Sequence, residues 1–257
     1  MRNDPMLPRR NLLLAAAGLP LLARAAHAQA ADPAWYAAWD AVLQRHVDAQ
    51  GRIDFAGLVA NPGPLDTIAE AIGSSGPYGE PAALAWHINA YNALAMRGIV
   101  QRGVPDSLGL VGRYSFFANT AIRIAGRNTS LKAFEDDVVR RMGEERVHFV
   151  LNCMVRGCPR LPRTAFRAAT MDASLASAAR EFCSSPYQVR PDPAARTVRV
   201  SQIFDFFGGD FVPAKAPTVI AYINRWREAP IPADWTLRFF DYDWSINRQP
   251  AAGRAAG

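Results

Sequence analysis

Apolar residues recur at helical spacing along most of the chain, and only a few short runs have the composition of strands. The longest helical pattern covers residues 81–102 and ends at Gly103 and Pro105, two residues that stop helices. Its first half is apolar on nearly every side, which predicts a helix buried within the core. The strand-like runs, which are short and bounded by turn residues, are 121–125, 187–190, 197–201 and 237–242.

The run 147–151 also predicts a strand, because it is short, apolar and rich in β-branched residues. It leads into a loop that carries two cysteines, Cys153 and Cys158. In a regular strand that continued through Cys153, His148 and Cys153 would face opposite sides, with Cα atoms about 15 Å apart. The sequence therefore disfavours a direct pair between these two side chains.

These elements together predict the α+β class, with several helices around a small, mostly antiparallel sheet. A buried helix with polar residues is followed by a strand with His148 and then by later strands. This order resembles that of papain-like and transglutaminase-like hydrolases, although the analogy concerns the fold alone.

Residues 1–30 have the layout of a cleaved export signal. A basic start at 1–10 is followed by an apolar stretch at 11–22, which is too short to span a bilayer comfortably. Small residues then allow cleavage after Ala28 or Ala30.

The signal also contains the pair Arg9-Arg10, which resembles a twin-arginine motif, so we expect a periplasmic or secreted protein. Because the signal contains four Arg and one Asp, its removal lowers the net charge from +6 to +3. No cluster of Lys and Arg interleaved with aromatic residues remains, which argues against a nucleic-acid partner. No later run is apolar enough for a membrane span, and the Ala/Gly-rich tail 251–257 is expected to be loose.

Four segments of the chain occur in an order and at spacings that are typical of one protein family. They are 86–94, 126–140, 148–153 with Cys158-Pro159, and 241–247. Together they resemble the family known as domain of unknown function 547. The resemblance implies a single α+β domain, here predicted over residues 31–250, in a family with many exported bacterial members. Some plant relatives join the domain to glutaredoxin-like or coiled-coil segments.

The chain departs from the family pattern at one position. After the glutamate that corresponds to Glu135, family members often have histidine, whereas this chain has Asp136. If that histidine takes part in catalysis in relatives, this chain is altered or inactive.

The candidate chemistry lies between the 81–102 helix and the 147–158 segment, and its reaction class would be hydrolysis or transfer of an acyl or amide group. In this hypothesis His148 is the base and Cys153 the nucleophile. Glu135 is a supporting acid, and no cofactor is expected. Two cysteines and one nearby histidine are an incomplete set of zinc ligands, so no metal site is predicted. Asn89 and Asn92 are the candidate amides that orient the substrate. The candidates for contact with a ligand are Tyr91, Asn152 and Arg156.

Three other interpretations stay open. An oxidising compartment favours a Cys153–Cys158 disulfide, and the protein would then be a non-catalytic module that binds a peptide or small ligand. The glutaredoxin-fused relatives suggest thiol–disulfide exchange, although the C-x4-C spacing differs from the C-x-x-C of redox folds. In the third interpretation, Glu135 and the two helix amides form a buried polar network that only stabilises the fold, and His148 is a core histidine whose hydrogen bonds are satisfied.

Overall fold

The structure is a computed structural model that describes residues 32–250. The predicted export signal at 1–30 and the predicted tail at 251–257 lie outside the described residues. Ten α-helices follow one another within these described residues. They are α1 (Trp35–His46), α2 (Phe55–Ala60), α3 (Gly63–Ser74), α4 (Leu84–Gln101), α5 (Leu110–Tyr114), α6 (Leu131–Phe134), α7 (Met171–Ser184), α8 (Ile203–Phe206), α9 (Gly208–Phe211) and α10 (Val219–Asn224).

Several short helical turns of other types connect or extend these helices. The 3₁₀ turns are Pro81–Ala83, Arg140–Met142, Glu145–Phe149 and Ala168–Thr170, and the π turns are Ser115–Asn119 and Glu135–Val139. One of the π turns continues α6, and the chain then ends this helical stretch at Gly143, whose φ is +74°. That left-handed conformation suits glycine and closes the helix.

Between residues 32 and 250, five strands form two small sheets. The strands are β1 (Ala121–Ile124), β2 (Arg127–Ser130), β3 (Val189–Asp192), β4 (Thr197–Ser201) and β5 (Thr236–Phe240). β1 and β2 form an antiparallel hairpin, and β3 pairs antiparallel with β4. β5 pairs parallel with β4 and completes a three-stranded sheet. The predicted α+β class is confirmed, and the predicted strand-like runs at 187–190 and 197–201 correspond to the antiparallel pair β3 and β4.

Helix α4 runs through the core, as its apolar first half predicts. Every residue from Ala85 to Met96 is buried, and α4 contacts α2, α3 and α6. A helix with apolar residues on all sides needs such neighbours, because otherwise it would leave hydrocarbon surface in water. Within residues 32–250, none of the helices combines the length and hydrophobicity that a membrane span requires.

The predicted strand at 147–151 is wrong. Residues Glu145–Phe149 form a 3₁₀ turn, in which the Glu144 side chain accepts a hydrogen bond from the Arg146 amide. The apolar, β-branched composition shows that this segment is buried. A short apolar run is compatible with a buried strand and also with other buried segments. The separation of His148 from Cys153 by strand alternation therefore does not apply.

The backbone that follows this turn forms hydrogen bonds with a side chain and not with a neighbouring strand. Asn92, on α4, accepts a hydrogen bond from the Asn152 amide at 2.8 Å and donates one to the Val150 carbonyl at 3.0 Å. One side-chain amide thus satisfies the two backbone groups that a neighbouring strand would satisfy. This contact fixes the direction in which the chain enters the cysteine loop.

Candidate functional site

A cavity of about 470 Å³, here called the thiol cavity, lies beside the cysteine loop. Its walls are mainly apolar and aromatic, and include Phe117, Phe206, Phe207, Tyr242 and Trp244. The polar groups that line it are Tyr91, Glu135, Asp136, Arg140, His148, Cys153 and Cys158, with Arg113 and Lys132 in addition. A concave apolar site with a few convergent polar groups is the usual form of a small-molecule site.

The two cysteines in this cavity are a close pair of thiols. The Cys153 and Cys158 sulfurs lie 2.8 Å apart, and both residues are buried. A disulfide bond would require about 2.05 Å. The predicted Cys153–Cys158 disulfide is therefore not formed in this structure.

Cys158 has the environment of a thiolate. Its sulfur accepts hydrogen bonds from the Cys153 amide at 3.1 Å and from the Tyr242 hydroxyl at 3.4 Å, and it contacts the Cys153 thiol. Burial opposes a charged sulfur, but these donors outweigh it, and the pKa of Cys158 is lowered. The hydrogen bond to Cys158 and burial raise the pKa of Cys153, which keeps its proton. The geometry thus favours Cys158, rather than the predicted Cys153, as the nucleophile.

The loop geometry that brings the two sulfurs together depends on Asn152. The Asn152 side chain donates to the Pro159 carbonyl at 2.7 Å and accepts from the Met154 amide at 2.8 Å. Met154 has a φ of +68°, a left-handed conformation that turns the chain sharply after the first cysteine. Asn152 therefore shapes the loop, and it is buried away from the lining of the thiol cavity, where its contact with a ligand was predicted.

Gly157 allows Tyr242 to reach the Cys158 sulfur. A Cβ atom at Gly157 would lie 2.7 Å from the Tyr242 ring, which is closer than real Cβ atoms approach a neighbour. Any side chain at this position would push the ring away from the loop. The small residue before Cys158 is thus part of the arrangement that stabilises its charge.

His148 is held by a carboxylate that the sequence analysis missed. Its Nε2 lies 2.8 Å from Asp210 Oδ2, and its ring stacks on Phe207 with 3.9 Å between centroids. The hydrogen bond with His148 and those from Arg140 hold the pKa of Asp210 well below its usual range. Because Asp210 stays ionised and accepts, Nε2 carries the proton, and the lone pair of a neutral ring lies on Nδ1. That Nδ1 atom is buried and has no hydrogen-bond partner within residues 32–250.

Glu135 forms the other polar wall of the cavity. The Tyr91 hydroxyl donates to its Oε2 at 2.8 Å. Burial raises the pKa of Glu135, although the charge of a protonated His148 and the Tyr91 hydrogen bond oppose the shift. A buried carboxyl with a raised pKa is suited to hold a proton and to donate it. Glu135 and Tyr91 thus lie where the sequence analysis predicted site residues.

The two helix amides are not part of the cavity lining. Asn89 donates to the Phe166 carbonyl and accepts from the Phe166 amide, both at 2.9 Å. Asn92 binds the chain before the cysteine loop in the same two-sided way. Because Asn89 and Asn92 are buried and do not line the thiol cavity, the structure does not place them where they could orient a substrate there. The buried-network interpretation fits these two residues.

Arg156 and Cys183 lie elsewhere in the fold. Arg156 is exposed and lines a second cavity rather than the thiol cavity. Cys183 is fully buried on α7, where burial raises the pKa of its thiol to about 12. In the part of the chain that the structure describes, no three His, Cys, Asp or Glu side chains are grouped to hold a metal ion.

Residues 78–183 match the family described as "Protein of unknown function, DUF547". This segment is similar to the DUF547 family. The match contains Tyr91, Glu135, His148 and both cavity cysteines, whereas Asp210 lies outside it. The comparisons found no similar curated protein and no similar solved structure. The match supports the suspected DUF547 resemblance and contains three of the four segments that carry it, whereas the segment 241–247 lies outside the match.

The residue at which this chain departs from the DUF547 pattern has a defined role. Asp136 accepts a hydrogen bond from Arg140 at 2.7 Å, and Arg140 in turn donates to Asp210 Oδ2 at 2.8 Å. Arg140 and its two acids therefore form a chain of charges that ends at His148. An aspartate at this position supports the orientation of the histidine, so the departure does not remove the site.

We expect Tyr242→Phe to raise the pH at which Cys158 becomes reactive. The change removes one donor to the sulfur, and a hydrogen bond of about 1 kcal/mol corresponds to about fivefold slower alkylation below the pKa. The measurement is the rate of iodoacetamide labelling of Cys158 against pH. Tyr187→Phe, at an exposed tyrosine, is the matched control. An unchanged profile in Tyr242→Phe would show that the hydroxyl does not stabilise the thiolate.

We expect Glu135→Gln to stabilise the protein increasingly as the pH rises. Because burial raises the folded pKa of Glu135, ionisation costs folding free energy. That cost is absent when the pH is below the pKa of Glu135 in the unfolded protein. It is complete when the pH is above the pKa of Glu135 in the folded protein. The glutamine keeps an acceptor for Tyr91 and never ionises, so the gain should appear between mildly acidic and neutral pH. Urea unfolding across this range measures it, with the exposed Glu70→Gln as control; a gain independent of pH would contradict the assignment.

Proposed function

We propose that this protein is a thiol-dependent hydrolase or transferase of acyl or amide groups, with Cys158 as its nucleophile. The observation that carries the proposal is the Cys158 sulfur, which accepts three contacts from donors in a cavity that His148 also lines. A thiolate formed by fixed donors needs no base for its attack. The Asp210-bound histidine then remains available for a later proton transfer.

In the first step, the Cys158 thiolate attacks the acyl carbonyl carbon and forms an S–C bond. The bond to the leaving group breaks, and Glu135 supplies the proton that an amine or alcohol leaving group takes up. In the second step, a water molecule attacks the thioester and gives a proton to His148 Nδ1. The S–C bond breaks and restores the thiolate, the acid is released, and the proton on His148 returns through solvent to Glu135. An alcohol or amine in place of water makes the reaction a transfer.

The cavity walls favour an apolar acyl group. Phe206 and Trp244 are packed with Tyr242 into an aromatic cluster beside the sulfur, with ring centroids 4.8 to 6.2 Å apart. Aromatic surface of this kind stabilises bound hydrocarbon by removing it from water. We therefore propose aromatic or aliphatic acyl esters and amides as substrates. The pattern of residues 1–30 supports a periplasmic or secreted location for this activity.

Reaction of the full chain with p-nitrophenyl acetate tests the proposal. We expect a burst of nitrophenol equal to the enzyme concentration, and an acetyl group on Cys158 in peptide mass spectrometry. Asp210→Asn should still be acetylated but should lose its acetyl group about 100-fold more slowly, because the histidine loses its orientation and proton placement. Acetylation of surface lysines alone would remove Cys158 as a nucleophile.

Thiol–disulfide exchange is a second candidate, favoured by the 2.8 Å contact between the two sulfurs. The Cys158 thiolate would attack a substrate disulfide, form a mixed disulfide and release one substrate thiol. Cys153 would then lose its proton, attack Cys158 and release the second substrate thiol, so that the protein is oxidised and the substrate reduced. Equilibration with glutathione buffers tests this candidate; failure to form an intramolecular disulfide, or a reduction potential below about −300 mV, would exclude it.

The non-catalytic binding module is the remaining alternative. In that case, the thiol cavity would bind a peptide or small molecule without any covalent step. Neither an acetyl-enzyme nor a mixed disulfide would form in the two experiments above, although a ligand in the cavity would still protect Cys158 from iodoacetamide.

A further inference from the structure

A second cavity, of about 530 Å³, lies against the other side of the cysteine loop and is here called the arginine cavity. It is lined by residues of the loop, of α7 and of the turn after α1. Arg52, Arg156 and Arg160 face it together with one acid, Glu181. Its charge is therefore positive, and it shares only Cys158 and Pro159 with the thiol cavity.

The three arginines differ in what they bind. Arg160 is neutralised by Glu181, with Nε 2.5 Å from one carboxylate oxygen and Nη2 2.8 Å from the other. Arg52 and Arg156 form no salt bridge within 4.0 Å with any residue between 32 and 250. Two guanidinium groups at one cavity without a carboxylate partner are suited to bind an anion.

Gln188 provides a second, independent indication of a ligand. Its side chain is about 95% buried, since its exposure is only 5%. The Nε2 atom donates to the Gly157 and Cys158 carbonyls at 3.3 and 3.4 Å, whereas Oε1 has no partner among the described residues. A buried amide oxygen without a donor costs about 1 to 3 kcal/mol, which an N–H group of a ligand would offset.

We propose that the arginine cavity binds a small carboxylate with an adjacent amide N–H, the chemistry of an N-acyl amino acid. The carboxylate contacts Arg52 and Arg156, and the amide N–H donates to Gln188 Oε1. This site is separate from the proposed acyl chemistry, because none of its three ligand-binding side chains lines the thiol cavity. Its occupancy therefore does not depend on whether Cys158 is a nucleophile.

Calorimetric titration of the full chain with N-acetylglycine tests the proposal. We expect one binding site, weakened at least tenfold by Arg156→Gln and abolished by the double change Arg52→Gln with Arg156→Gln. Acetate, which lacks the N–H group, and the methyl ester of N-acetylglycine, which lacks the charge, should each bind at least tenfold more weakly. Arg113→Gln, at the thiol cavity, is the matched control and should bind as the parent does.

The variants are informative because Arg156 is exposed and its substitution should leave the unfolding temperature unchanged. Gln188→Met keeps the volume and removes the amide, so it should weaken N-acetylglycine but not acetate. Three results would overturn the proposal. They are no binding at millimolar ligand, equal binding of acetate and N-acetylglycine, or loss of binding in Arg113→Gln with none in Arg156→Gln.

Discussion

Cys158→Ser is expected to lower the rate of acetyl-enzyme formation by at least about 1,000-fold, whereas Cys153→Ser should change it less than about tenfold. A serine hydroxyl is not ionised at neutral pH, and none of the donors around residue 158 can make it so. Serine at 153 keeps a group that can donate a hydrogen bond to the Cys158 sulfur, and it leaves the backbone donor unchanged. The pre-steady-state burst with p-nitrophenyl acetate measures both rates.

The same two variants separate the two candidate reactions. Acyl transfer requires only Cys158, so Cys153→Ser should keep it. Thiol–disulfide exchange requires both thiols, and Cys153→Ser should stop it at the mixed disulfide. Cys183→Ser, at a thiol outside the cavity, is the control for general effects of removing a cysteine. A Cys153→Ser protein that loses its burst while Cys158→Ser retains it would reverse the assignment of the nucleophile.

Local sequence patterns predicted helix α4 and the strands β1, β3, β4 and β5, because those elements follow from periodicity and from residues that end them. The segment 147–151 was predicted wrongly because its apolar residues show that it is buried but not how its backbone is paired. The partner of that backbone is the Asn92 side chain, 58 to 60 residues earlier in the chain.

The candidate site was predicted in part for the same reason. Glu135 and His148 stand out in the sequence because a charged or titratable group interrupts a core pattern, and both line the thiol cavity. Asp210 follows two glycines on the short helix α9, with no local feature that links it to a histidine 62 residues away. The difference between Cys153 and Cys158 depends on Tyr242, which comes from the far end of the chain. These pairings are set by tertiary packing, which a local pattern does not record.

Asn92→Ala is expected to lower the free energy of unfolding by about 3 to 5 kcal/mol. The change leaves the Val150 carbonyl and the Asn152 amide buried without partners, at about 1 to 3 kcal/mol each, and creates a small cavity in the core. Urea or thermal unfolding measures the loss. Asn128→Ala, at an exposed asparagine of β2, should change stability by less than about 0.5 kcal/mol.

Asn89→Ala provides the comparison that separates stability from site geometry. Asn89 holds Phe166 with the same two-sided pair of hydrogen bonds, so its loss should cost a similar free energy. Phe166 is not part of the cysteine loop, however, and iodoacetamide labelling of Cys158 should stay at the parent rate. Asn92→Ala should alter that rate, because the chain it holds leads directly into Cys153. Equal labelling in the two variants would show that the loop keeps its shape through Asn152 alone, and that Asn92 serves only the stability of the fold.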